Sequence, residues 1–82
     1  MKDWKEAIKL REGESFHEET HKMKGTLMQT DVYEFSIIDV SGNKIGDIRV
    51  VDHTDISPPF KQSIHVKQTY DIEGVVVDEY LN

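Results

Sequence analysis

The chain has no cysteine, which excludes a disulfide framework and any thiolate metal or redox centre and favours a reducing compartment. Proline is almost as scarce: the two residues stand together at Pro58 and Pro59, so nearly every other position can donate a backbone hydrogen bond. No segment approaches the roughly 20 apolar residues that a spanning helix needs, and Met1-Lys2-Asp3-Trp4-Lys5-Glu6 lacks the apolar run of a signal peptide. Basic charge is also short. Ten Lys and Arg face 16 Asp and Glu, for a net charge of −6. The lysines are interspersed with acids, so there is no basic stripe of the kind that phosphate contacts require. An anionic membrane surface is disfavoured for the same reason. These absences argue against nucleic acid and membrane as partners, and they lead us to expect a soluble, cytoplasmic protein.

What is present describes a folded domain. An apolar content of 37% beside 32% charged residues is too hydrophobic for a disordered chain. Residues 1–82 are expected to form a single small domain, and a chain of this size buries only about 60–65% of its unfolded surface, so its stability margin is thin.

The strongest pattern lies in residues 33–52. Tyr33, Phe35 and Ile37 alternate with Glu34 and Ser36, the period of a strand with one buried face. Ser41-Gly42-Asn43-Lys44 suits a tight turn, after which Ile48 and Val50 resume the alternation. Pairing Val40 with Ile45 sets Ile37 opposite Ile48 and Phe35 opposite Val50. A second hairpin follows the irregular segment 53–60. Pairing Tyr70 with Val75 there sets Lys67 opposite Asp78 and turns Ile64 and Val66 towards Val77 and Leu81.

The N-terminal third is predicted to be helical in part. Asp3 can cap a short helix whose Trp4, Ala7 and Ile8 share a face, with Leu10 beside it and Gly13 as its stop. Residues 14–24 admit two readings. As a helix, Ser15 and Glu18 form a capping box, Phe16, Thr20 and Met23 share a face, and Gly25 ends the run. As a strand, the segment continues through Thr26-Leu27-Met28-Gln29 and adds a fifth element to the sheet. The expected class is therefore α+β: one or two N-terminal helices packed on a four- to five-stranded antiparallel meander of hairpins.

His17-Glu18-Glu19-Thr20-His21 matches H-E-x-x-H and, over these five residues, resembles the zinc metallopeptidases, in which two helical histidines bind zinc and the glutamate is general base. The resemblance implies a metal-dependent hydrolase. The flanks depart from it, because Glu19 and Lys22 stand where those enzymes carry uncharged side chains and Lys24 where the metzincin glycine would be. The bland alternative, an exposed charged face, is the expectation, with no metal and no cofactor. Asp52-His53-Thr54-Asp55 places an imidazole between two carboxylates at a strand end, so His53, Asp55 and the nearby Phe60 are the candidate binding residues. The competing reading is a turn stabilised by Asp and Thr side chains.

Function is read as a non-enzymatic interaction or binding module that self-associates. The face opposite Phe35 carries Ile38 and Val40 on one strand and Ile45 and Val51 on the next, and an uncovered apolar face of this kind marks an interface. Those four residues are the expected contact of a homodimer or small closed oligomer, with a protein partner or small ligand as further possibilities. The first rival is a small-molecule pocket between subunits, enzymatic or not, to which Tyr33, Phe35, Phe60 and Tyr80 contribute rings. The alternation itself makes a stability prediction. Phe35→Ala is expected to cost roughly 3–5 kcal/mol as a buried large-to-small change, measurable by chemical denaturation.

Overall fold

The structure, a computed structural model, describes residues 4–24 and 29–81. The expected Asp3 cap, the Gly25 helix stop and the Thr26-Leu27-Met28 extension lie outside the described residues. Five strands, β1 (Ser15–Lys24), β2 (Thr30–Ile38), β3 (Lys44–Thr54), β4 (Gln62–Tyr70) and β5 (Gly74–Leu81), form one antiparallel sheet in chain order. The α+β expectation is therefore corrected: among the described residues there is no α-helix, and the sheet is a five-stranded meander.

The demands of the sheet choose the strand from the two readings of residues 14–24 and remove the helix expected before them. Residues 14–24 form β1, not a capped helix, because pairing along β2 satisfies the donors and acceptors that an unpaired edge would leave open. Phe16 then turns inward and meets Phe35 edge-to-face, with ring centroids 5.4 Å apart. The N-terminal segment keeps only a 3-10 turn at Trp4–Ala7 and continues as an irregular strap. An extended chain advances about 3.3 Å per residue against 1.5 Å in a helix, so the same residues reach across several strands.

The register of the central hairpin differs from the expected one by two residues. Ile37 lies opposite Gly46 and Phe35 opposite Ile48. Asp39 lengthens the turn: its Oδ1 accepts the backbone N–H groups of Ser41 and Asn43, both at 2.9 Å, while Gly42 takes the positive φ of 87°. Because the shift is even, the same side chains remain on the same face. In the last hairpin Lys67 lies opposite Asp78 and Ile64 opposite Leu81, and a bulge then brings Tyr70 opposite Gly74. This bulge and the one at the start of β3 each carry an extra residue, Val76 and Ile45, and both pack against the core.

The core lies on one face of the sheet. Phe35, Ile37, Ile48, Val50, Ile64, Val66, Tyr70, Val77 and Leu81 are buried there with Ala7 of the strap. Close packing depends on Gly46, where an added Cβ would stand 2.4 Å from the Thr69 carbonyl oxygen. The other face is largely polar. Glu34, Arg49, Lys67 and Asp78 form one row across four strands, with opposite charges at both outer pairs.

A side chain holds the strap down. Gln68, fully buried near the end of β4, accepts the Lys9 N–H at 2.7 Å and donates to the Lys9 carbonyl at 3.1 Å. Its amide thus does for the strap what a neighbouring strand would do. Tyr70 extends the latch, donating its O–H to Glu14, while the Arg11 guanidinium lies 4.5 Å over its ring and pairs with Glu73. Burial, and then the Glu14 hydrogen bond, push the Tyr70 phenol up to about 12, so it remains a donor. Gln68→Ala is expected to leave the Lys9 N–H without its partner and its carbonyl with the longer Tyr70 hydroxyl contact at 3.4 Å, at about 1–3 kcal/mol, and to red-shift the emission of Trp4. Urea titration followed by fluorescence reads both effects.

Candidate functional site: an aromatic groove beside the strap

The strap covers only part of the core face. Where it begins, Trp4 of the 3-10 turn stands against Phe35 of β2, centroids 5.3 Å apart, and against Phe16 of β1 at 6.2 Å. Among the described residues the sheet beyond these rings is open, and a groove of about 440 Å³ runs from Trp4 past Phe16 to Tyr33, lined also by Phe35 and Val50. The volume falls in the 300–1,000 Å³ range of small-molecule sites. Three separate elements supply the rings, brought together by strand alternation and by the inward turn of the strap.

Its rim is charged. Glu18 of β1 and Asp52 of β3 line the groove together with Lys5, whose ammonium is 5.8 Å from the centre of the Trp4 ring. Gln62 donates to both Asp52 carboxylate oxygens, at 2.9 and 3.2 Å, and so orients that group. At the far end, burial raises the pKa of the Tyr33 phenol, and the charges of Asp31, Asp52 and Glu18 raise it further. Three carboxylates therefore place a negative field on the Tyr33 end. His21 stacks on Tyr33 at 4.3 Å, with its Nε2 2.9 Å from Asp31 Oδ1.

The residues singled out from sequence are placed as follows. His17 lies opposite Ser36 and His21 opposite Tyr33, positions on opposite faces of the sheet, because a bulge at Glu19 separates them. The H-E-x-x-H pair therefore cannot ligate one ion, and the metallopeptidase reading is removed by geometry. Among the described residues no group of three His, Asp or Glu is placed to hold a metal ion. His53 and Asp55 do come together: His53 Nε2 is 3.4 Å from Asp55 Oδ1, and His53 Nδ1 is 2.7 Å from Thr30 Oγ1. They line a shallow hollow of about 280 Å³ with Ile56 and Pro58. Phe60 does not line it, and is exposed with a φ of 56°.

The four expected interface residues do not form a patch. Val40 sits in the turn, 86% exposed, Ile45 packs against the core, and Ile38 and Val51 are half-buried. Val51 lies opposite Val32 in an otherwise polar surround. Of the four rings proposed for a pocket, Tyr33 and Phe35 line the groove, while Phe60 and Tyr80 do not. Trp4, Phe16, Glu18 and Asp52 were missed. They come from three elements, the 3-10 turn, β1 and β3, and no local spacing links the strap to the far strands.

A second His–Tyr stack repeats the pattern of the first. His65 lies opposite Tyr80, ring centroids 4.4 Å apart, and hydrogen-bonds Asp78, two residues before that tyrosine. The Asp-x-Tyr spacing is the same at Asp31-Val32-Tyr33 and Asp78-Glu79-Tyr80, and the two stacks tie the outer strands to the sheet on opposite faces. No family model, curated protein or solved structure matches the chain. Among the described residues, no helix is long and apolar enough to cross a membrane.

The second stack carries a pH prediction. The His65 hydrogen bond, then the charges of His65 and Lys67, hold Asp78 below the usual carboxylate range. A depressed folded pKa stabilises the fold above the unfolded value of about 3.9, and that contribution is lost as pH falls through the folded value. Asp78→Asn is therefore expected to lower the urea midpoint at about pH 5 and to lose its effect at about pH 2. An effect that stays constant between those pH values would remove the pair as the cause.

Proposed function

We propose that the protein is a non-enzymatic binding module whose ligand seat is the groove between Trp4 and Tyr33, acting in the reducing cytoplasm that its lack of cysteine suits. The observation that carries this reading is the concavity itself, lined by four aromatic rings together with Lys5, Glu18 and Asp52. Among the described residues its lining holds carboxylates and one ammonium and sets no nucleophile beside a base, which supports binding as its chemistry.

Trp4 is the only tryptophan, so its emission reports occupancy directly. In a thermal-shift screen of small aromatic, cationic and anionic compounds, at least one is expected to raise the melting temperature and shift Trp4 emission together. Ligand at 100 times its Kd adds about 2.7 kcal/mol. Glu18→Phe, which fills the groove from an exposed position, should abolish both responses. Hits that bind this variant unchanged would move the site elsewhere.

A second reading, self-association, is favoured by the unequal edges of the sheet. β1 is guarded by its bulge and by Glu18, Glu19 and Lys22. β5 presents a full strand with Val75 and Tyr80 exposed, and its bulge lies only beside the turn. A second copy adding along β5 replaces the face-to-face contact expected through Ile38 and Ile45. Sedimentation equilibrium at micromolar concentration is expected to show a mass above 9.5 kDa that Val75→Lys returns to the monomer value. A wild-type monomer would exclude this reading.

A further inference from the structure

Taking the groove as the ligand seat, we infer that its occupant is a small organic cation, an alkylated ammonium carried on a compact apolar body. The walls are the faces and edges of Trp4, Phe16 and Tyr33, all half-buried, so each has ring surface left to offer. Aromatic faces attract cations through their quadrupole, tryptophan most strongly. Glu18 and Asp52 line the same space, and the field of Asp31 reaches the Tyr33 end with theirs. A neutral occupant would strip water from Glu18, and from the part of Asp52 that Gln62 leaves exposed, without replacing it, and an anion would be repelled by both.

The chain itself shows the preference. Lys5 already lies over Trp4, at 5.8 Å, on the rim of the groove. Among the described residues Lys5 is the sole basic residue in the lining, beside two carboxylates, so an incoming cation meets more opposite charge than like. The apolar walls favour an alkylated ammonium over a primary one, whose compact and strongly hydrated charge loses more on leaving water. A volume of about 440 Å³ exceeds what a bare metal ion would occupy and suits a small molecule.

Choline is a direct probe, and 3,3-dimethylbutan-1-ol is its uncharged isostere. Titration of the intact chain at low salt, followed by Trp4 emission, is expected to give choline an affinity at least about tenfold above the alcohol. Asp52→Asn, which keeps an oxygen for Gln62, should weaken choline about three- to tenfold and leave the alcohol unchanged. Lys5→Gln, by removing the competing charge, should tighten choline binding, an effect that a merely structural role for Lys5 does not produce. Thermal unfolding checks that each variant is folded.

Equal affinities for choline and the alcohol would overturn the cationic assignment and leave the groove as a binding site. Silence from both probes, while another class of compound binds and Glu18→Phe blocks it, would do the same. A trimethyllysine peptide binding more than about tenfold tighter than choline would reassign the seat to a protein tail and overturn the small-molecule proposal. If no compound of any class shifts Trp4 emission, the groove reading fails with it.

Discussion

The hydrogen bonds between the Gln68 side chain and the Lys9 backbone decide whether this sheet has a covered face at all. A single five-stranded sheet has two faces and no second layer of its own, so a core forms only where something lies across it. Here that something is a strap with one 3-10 turn, too short and irregular to satisfy its own donors and acceptors. Burying such a segment would strand its peptide groups. An amide side chain near the end of β4 supplies the missing partner, with one donor and one acceptor facing one acceptor and one donor. Tyr70, Glu14 and Arg11 extend the latch towards the β4–β5 turn.

The groove lies beside the first described residue of that strap. Trp4 meets Phe16 and Phe35 and becomes a wall, and among the described residues nothing covers the sheet around Tyr33 and Asp52. One segment thus closes the core over β4 and β5 and leaves a concave aromatic surface over β1, β2 and β3. The same economy shows in the bulges. Each inserts one residue, and at Ile45 and Val76 that residue is apolar and turned into the core, so an irregularity in pairing adds to packing. At Glu19 the bulge instead reverses which face the second half of β1 presents, putting His21 and His17 on opposite sides.

Period-two alternation was legible wherever one face of a strand is buried and the other wet. Phe35, Ile37, Ile48 and Val50, and likewise Ile64 and Val66, read correctly as inward because that contrast is written in consecutive residues. The Lys67–Asp78 pairing was legible for the same reason, since a short turn leaves few registers that match charge and hydrophobicity together. The turn at Asp39 was misread by two residues because an Asp side chain capping two N–H groups has no signature stronger than the Gly-Asn beside it.

By itself, then, the sequence determined the strands of the two hairpins and their inward faces, because both follow from contrasts between near neighbours. Only the tertiary structure decided that Ser15–Lys24 is a strand, that the described residues before it form a strap, and that Val40 and Ile45 leave the face on which Ile38 and Val51 lie. Helix and strand patterns compete evenly in Ser15–Lys24, and the vacant edge of β2 settles the competition. The groove could not be read in advance for a related reason. Trp4, Phe16, Tyr33 and Asp52 become neighbours only when three strands and the strap are in register, and no local rule of spacing joins them.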